Sequence, residues 1–382
     1  MKDVRDMAAM ALPFAAGVAA CAALAGGAAS GFRAADTAAA GIAASAALTG
    51  AVGLMAYLSR RKSGPLPYVL LFFFLGCFCF LSRALLPQAA APGPVGRLAA
   101  DALAGLRRLI ATLPLAHDST HSLVTALMTG DRSGLTAGQT AAFRASGASH
   151  ILALSGLHLG VIYLIISRLL SIFGNAPTVR RIRSTLIVVL SGFYTLATGA
   201  GPSIVRAFLF ILIRETCSLL PERRTDPVRI LMTALTLQLA FTPEVITSLG
   251  FQLSYLAMTG ITVLYPRLSA WYPSPDERGS SHTMEVWMRI VDPIIRRIWQ
   301  GAALAVSCQI FTAPLVWIRF HSFPKYFIIT NLLALPLTSA LMAAAVAAIA
   351  LQGLGGCPAF VAAAVDFLAQ SLLFVLDVIS SL

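Results

Sequence analysis

Residues 326–352 read YFIITNLLALPLTSALMAAAVAAIALQ, and no Asp, Glu, Lys or Arg interrupts them. At about 1.5 Å per residue, some twenty helical residues cross the roughly 30 Å hydrocarbon layer of a bilayer. A run this long and this free of charge is read as a transmembrane helix. Two residues mark it, Asn331 and, five positions on, Pro336. Proline removes a backbone donor and frees a carbonyl, which in lipid must find a protein or water partner.

The same pattern recurs outward from this run. Apolar stretches near residues 8–29, 38–58, 66–86, 150–170, 184–200, 203–220, 228–241, 247–266, 300–318 and 358–380 bring the expectation to about eleven spans. Of the 382 residues 58% are hydrophobic and 12% charged, whereas a soluble domain carries about 25% charged residues. A single soluble domain is excluded. The fold class expected is all-α, a polytopic transmembrane helical bundle with interrupted helices. The first run follows Lys2 and Arg5 but is long and succeeded by further spans, so it reads as an uncleaved helix. The six cysteines lie in or beside apolar runs without a CxxC pair, as packing residues do.

Loop charges set the orientation. With a cytoplasmic N-terminus, Arg60, Arg61 and Lys62 fall inside, as do Arg180, Arg181, Arg183, Arg223, Arg224, Arg229 and the loop from Arg267 to Arg297. The opposite connections at 200–202 and 242–247 carry no Lys or Arg. Residues 87–147 break the rule, since an outward segment would hold Arg97, Arg107, Arg108, Arg132 and Arg144. Within it Val95, Leu98, Ala102, Leu106, Leu109 and Leu113 recur at spacings of three and four, which predicts an amphipathic helix. Such a helix either lies on lipid or gathers an anionic substrate. Met284–Ile298 reads as a second amphipathic helix, on the inner leaflet. The net charge of +12, with Lys only at Lys2, Lys62 and Lys325, favours anionic partners, lipid heads or a polyanion.

Polar residues at membrane depth cost free energy unless paired or hydrated, so they are the candidate pathway residues. They are Asp131 and Arg132; His150, Ser155 and His158 at the head of the fourth span; Arg206 in the sixth; Gln252 and Ser254 in the eighth; and Asn331 in the tenth. Gly156 and Gly160 form a small-xxx-small pair suited to close helix approach. Ser155 and His158, three residues apart, also have the reach of an intramembrane hydrolase pair, although neither a third residue nor an oxyanion hole is evident. His117 and His121 have helical metal-ligand spacing without an evident third ligand and read as structural or surface residues. No metal or cofactor is expected. The chain holds no GxxxxGK[ST] loop, so any directed transport would need a separate motor ATPase.

Gly130-Asp131-Arg132, Phe143, His150, Leu154-Ser155-Gly156-Leu157-His158, Val205-Arg206-Ala207, Gly250-Phe251-Gln252-Leu253-Ser254 and Asn331…Pro336 after Pro324 occur in that order. Together, over roughly residues 118–340, they resemble the competence domain of ComEC-type proteins. The Leu-Ser-Gly-Leu-His core is the most specific element. The resemblance implies an inner-membrane channel that imports single-stranded DNA during natural transformation, a homo-oligomer being one possible assembly. It divides the chain into N-terminal transmembrane helices (1–86), an outward amphipathic and cap segment (87–147), a competence-type transmembrane domain (148–352) and a C-terminal helix (353–382). Many family members also carry an OB-like domain and a metallo-β-lactamase-like domain. Neither is expected in these residues, which hold no HxHxDH cluster, so no nuclease activity is expected. A transporter of another anion, or an inactive scaffold paralogue retaining the fold, is the alternative.

Overall fold

A computed structural model describes residues 2–27, 45–46, 48–50, 52, 66–85, 93–174, 176–220, 226–272, 285–321 and 323–382. Most of the span expected at 38–58 lies outside the described residues. In chain order the helices are α1 (Lys2–Gly27), α2 (Leu66–Leu85), α3 (Pro94–Ala111), α4 (Asp118–Thr129), α5 (Ala137–Ala145), α6 (Ser149–Leu152), α7 (Gly156–Ser171), α8 (Pro177–Ala197), α9 (Pro202–Ser218), α10 (Pro227–Phe241), α11 (Leu249–Val263), α12 (Tyr265–Ser269), α13 (Glu285–Phe320), α14 (Phe327–Gly353) and α15 (Ala359–Ser380). A 3-10 turn occupies Pro243–Thr247, and the described residues contain no strand.

Among the described residues, four helices are long and apolar enough to cross a membrane: Met7–Leu24 within α1, Val291–Phe320 within α13, α14 and α15. Shorter apolar helices occupy Tyr68–Arg83, Gly156–Ser171, Pro227–Phe241 and Leu249–Val263. The surface of α15 says what surrounds it. Phe360, Phe367 and Phe374, seven residues apart, are 76%, 71% and 69% exposed, while Ala362, Val365, Ala369, Leu372 and Leu376 on the other side are buried. In water such a ridge invites aggregation; against hydrocarbon it is the stable arrangement. The protein is an all-α membrane protein.

The described residues form two compact units. The first comprises Met1–Gly93 and Phe208–Tyr255. Its tightest interface joins α1 to α2, where Gly17 faces the Phe73 carbonyl and Gly76 faces the Phe14 carbonyl, with no room for a Cβ at either glycine. Small residues at a helix crossing let two backbones touch, which replaces the hydrophobic driving force that lipid does not supply. The Cys77 thiol donates to the Gly17 carbonyl at 3.5 Å at this crossing. Helix α10 packs on α1 and α2. It starts where Asp226 accepts the Val228 amide at 2.9 Å and Pro227 takes the first helical position.

The second unit comprises Pro94–Ala207 and Leu256–Leu382. Its core draws Leu123 and Leu127 from α4, Phe143 from α5, Ile151 from α6, Leu341 and Met342 from α14, and Val365 and Leu372 from α15. Helices α7 and α8 form an antiparallel pair, and α14 packs on α7, α13 and α15. In this unit Gly260 of α11 meets the Ser307 carbonyl of α13 as closely as the two glycine contacts of the first unit.

Two expectations about helix boundaries are corrected. The run at 150–170 is not one helix, because the chain breaks at 153–155 between α6 and α7. The Ser155 side chain caps a new helix there, so His150 and His158 do not share one continuous helical face. The amphipathic stretch at 284–298 is not a separate element either. It runs on into the ninth span as the single 36-residue helix α13, which contains Pro293 and Pro314. The amphipathic helix expected from Val95 is present as α3.

Candidate functional site

The break before α7 organises the site. Ser155 is extended (φ −126°, ψ 176°) and caps the helix, its Oγ accepting the Leu157 amide at 3.3 Å. In return the Ser155 amide donates to His158 Nδ1 at 3.2 Å, completing a reciprocal capping box. Because Nδ1 accepts a backbone proton, neutral His158 carries its own proton on Nε2. That Nε2 is buried and has no hydrogen-bond partner. A donor is thus held in the interior by a cap four residues long in sequence.

The Gly130-Asp131-Arg132 turn lies over the same break. Gly130 ends α4 in the left-handed region (φ 79°), its amide returning to the Ala126 carbonyl. Asp131 Oδ1 accepts the Ser133 hydroxyl at 2.7 Å and amide at 3.1 Å, while Oδ2 pairs with Arg107 at 3.3 Å. Arg132 Nε donates to the Leu152 carbonyl at 3.0 Å, satisfying an acceptor released where α6 stops. From α8, Tyr194 donates to the Met128 carbonyl at 2.8 Å, an acceptor at the end of α4. His150 donates from Nδ1 to the Gly147 carbonyl at 3.2 Å, and Thr330 donates to the Ser146 carbonyl at 2.8 Å. The neighbour of Thr330 is Asn331.

Arg206 closes the site from α9. Its guanidinium lies against Gly156, where a Cβ would stand 2.9 Å from Nη2, and it is within electrostatic reach of the Cys308 thiol on α13. Arg206 is 7% exposed, so it does not reach out to the headgroups along the helix surface. Three further buried polar atoms in this unit lack a hydrogen-bond partner: Ser191 Oγ, Gln309 Nε2 and Asn331 Oδ1. Counting from the short turn between α7 and α8, Ser191 stands level with His158. Gln309 follows Cys308 directly.

Of the nine sequence-derived residues, Asp131, Arg132, His150, Ser155, His158, Arg206 and Asn331 belong to the second unit. Gln252 and Ser254 belong to the first, where Gln252 Nε2 donates to the Ile246 carbonyl at 2.8 Å. Ser191, Tyr194 and Gln309 were not among the residues read from the sequence. The signal for them was present as single polar positions inside apolar runs. His117 pairs with Asp366 at 3.3 Å, which gives it a structural partner.

A family model described as Competence protein matches residues 127–382. ComE operon protein 3 of Bacillus subtilis (strain 168) is 27% identical to this chain over 238 residues, covering 62% of the chain and 27% of that protein. The match thus spans about a quarter of the relative's own length. No solved structure matches.

Proposed function

The chain belongs to the Competence protein family, and on that premise we propose that it is an inner-membrane conduit for single-stranded DNA taken up during natural transformation. The observation that carries this reading is the set of buried polar atoms left without protein partners: His158 Nε2, Ser191 Oγ, Gln309 Nε2 and Asn331 Oδ1. An unmatched polar group in an apolar interior costs about 1–3 kcal/mol by protein mutational scales. Four of them in one unit are supported when water or a polar substrate completes their hydrogen bonds.

The chemistry of these groups suits a strand that must move. Neutral donors and acceptors replace water around bases and sugars without gripping them. Phosphates bring one charge per nucleotide, and a single guanidinium, Arg206, answers them where a stack of arginines would hold the strand. Asp131 and Arg132, with their partners Arg107 and Leu152, brace the turn over the break, so their role in this reading is to keep the cap of α7 in place. His150 completes the proposed pathway set of the second unit; Gln252 and Ser254, the remaining candidates, belong to the first. A separate motor ATPase or a DNA-binding protein supplies direction.

The test is genetic. A deletion strain complemented with Arg206→Ala or His158→Ala, at membrane levels matched by immunoblot, is expected to lose transformation while still binding DNA at the surface. Undiminished transformation in the deletion strain itself refutes the reading. Because the match covers only 27% of the relative, transport of another anion or a scaffold role is the competing account. Binding to the purified protein separates them: log affinity for single-stranded DNA should fall against log salt with a slope of about −0.7 per phosphate contacted.

A further inference from the structure

Thr112 and Ser146 are held at opposite ends of one transmembrane helix. The Thr112 carbonyl accepts from Gln352 Nε2 at 3.1 Å near the end of α14, and the Ser146 carbonyl accepts from Thr330 Oγ1 at 2.8 Å near its start. Between Thr330 and Gln352 a helix advances about 33 Å, close to the roughly 30 Å hydrocarbon thickness. A segment confined to one membrane surface does not meet both anchors.

We infer that residues 112–146 cross the bilayer as a broken span, shielded by protein, and that Asp366 and Gln370 of α15 fasten its start. Backbone that is not one continuous helix is tolerated at membrane depth where protein covers it. Here Thr120, Leu123, Val124, Ala126, Leu127, Met128 and Thr129 of α4 are all buried, as is Phe143 of α5. The interruptions are also satisfied internally. Gly130 closes α4 onto the Ala126 carbonyl, and Thr136 with Gln139 makes a reciprocal capping box at the start of α5.

The fastening is chemically specific. His117 precedes α4 without capping it by its own side chain. Asp366 holds the residues leading into α4 from another helix, Oδ2 accepting the Ala116 amide at 2.7 Å and Oδ1 lying 3.3 Å from His117 Nδ1. One turn further along α15, Gln370 Nε2 reaches Ser119 Oγ at 2.9 Å and Thr120 Oγ1 at 3.2 Å. A carboxylate is stabilised by the positive end of a helix dipole, and an ionisable group inside a span needs such a partner. Asp366 is therefore a positioning residue: it sets α4, and α4 ends at Gly130 in the turn that carries Asp131 and Arg132.

Sided labelling of the full chain tests this independently of what the pathway carries. Single cysteines replace Ala116, Ala145 or Leu354, all exposed, in a background with the six native cysteines changed to Ala or Ser. A membrane-impermeant maleimide is applied to right-side-out and inverted vesicles. Ala116→Cys and Leu354→Cys are expected to react from one side and Ala145→Cys from the other. Reaction of Ala116→Cys and Ala145→Cys from the same side, or of Ala116→Cys from neither, overturns the crossing. Adding Asp366→Ala should speed labelling of Ala116→Cys roughly fivefold, the factor expected for loss of one hydrogen bond of ordinary net strength. Asp366→Asn, which keeps an acceptor, should restore most of the protection. A core control, Ala345→Cys, should stay protected throughout. Unchanged labelling with Asp366→Ala, or equal loss of protection at Ala345→Cys, overturns the fastening role.

Discussion

Two glycines thirty residues apart give a direct trial of the packing described above. Gly130 has φ 79°, and an added Cβ would stand 2.5 Å from Leu154 Cδ1 and 3.0 Å from its Cγ. Gly130→Ala therefore places an L-residue in the left-handed region, at roughly 1–2 kcal/mol. Displacing Leu154 adds about 1 kcal/mol, at the low end for overpacking because a leucine tip can turn. The expected loss is about 2–3 kcal/mol. Gly160 lies inside α7 with helical backbone, and nothing stands within 4 Å of an added Cβ. Gly160→Ala should be neutral or stabilise by up to about 1 kcal/mol, since alanine is the better helix former. The difference between the two variants is then about 3 kcal/mol, or roughly two orders of magnitude in an unfolding equilibrium by the relation of about 1.4 kcal/mol per tenfold. Reversible unfolding of purified variants in mild detergent, titrated with a denaturing one, measures it. A Gly160→Ala variant as damaged as Gly130→Ala would restore the small-xxx-small reading of Gly156 and Gly160 and refute the packing described.

Gly76→Val should separate α1 from α2, because its side chain meets the Phe14 carbonyl; a loss of about 3 kcal/mol, seen as lower folded yield on size-exclusion chromatography, is expected, and a wild-type yield would contradict the crossing. Tyr194→Phe leaves the Met128 carbonyl without its 2.8 Å donor. Its expected cost is about 1–3 kcal/mol, with faster hydrogen exchange at the end of α4 as the local signature. Ser155 should not react with a fluorophosphonate, because its hydroxyl is engaged in the cap of α7; covalent labelling at Ser155 would instead revive a hydrolytic role for the Ser155–His158 pair.

Legibility in the sequence followed the physics of each feature. Long apolar runs such as 326–352 and 358–380 became α14 and α15 almost residue for residue, since twenty apolar residues in lipid have few alternatives to a helix. Gly199-Ala200-Gly201-Pro202 was legible as a break, and both Gly199 and Ala200 take positive φ there. The break at 153–155 was not, because its cause is a capping exchange between Ser155 and His158, and the same residues also fit a continuous helical face. Arg206 was legible as a candidate pathway charge inside an apolar run. Its contact with Gly156 depends on tertiary packing that no local pattern records. Asp366 stood in plain view as an acid in an apolar run, yet its partners are the Ala116 amide and His117, some 250 residues earlier. Contacts of that separation lie beyond any periodicity.

Helix α13 also acts as a depth gauge. Its arginines at Arg297 and Arg319 bracket an uncharged stretch whose helical length is about 33 Å, so both guanidiniums can sit at opposite headgroup layers with the hydrocarbon between them. Halfway between them falls Cys308, flanked by Ser307 and Gln309. The Cys308 thiol, within electrostatic reach of Arg206, is thereby placed near the mid-plane, as far from bulk water as a membrane allows.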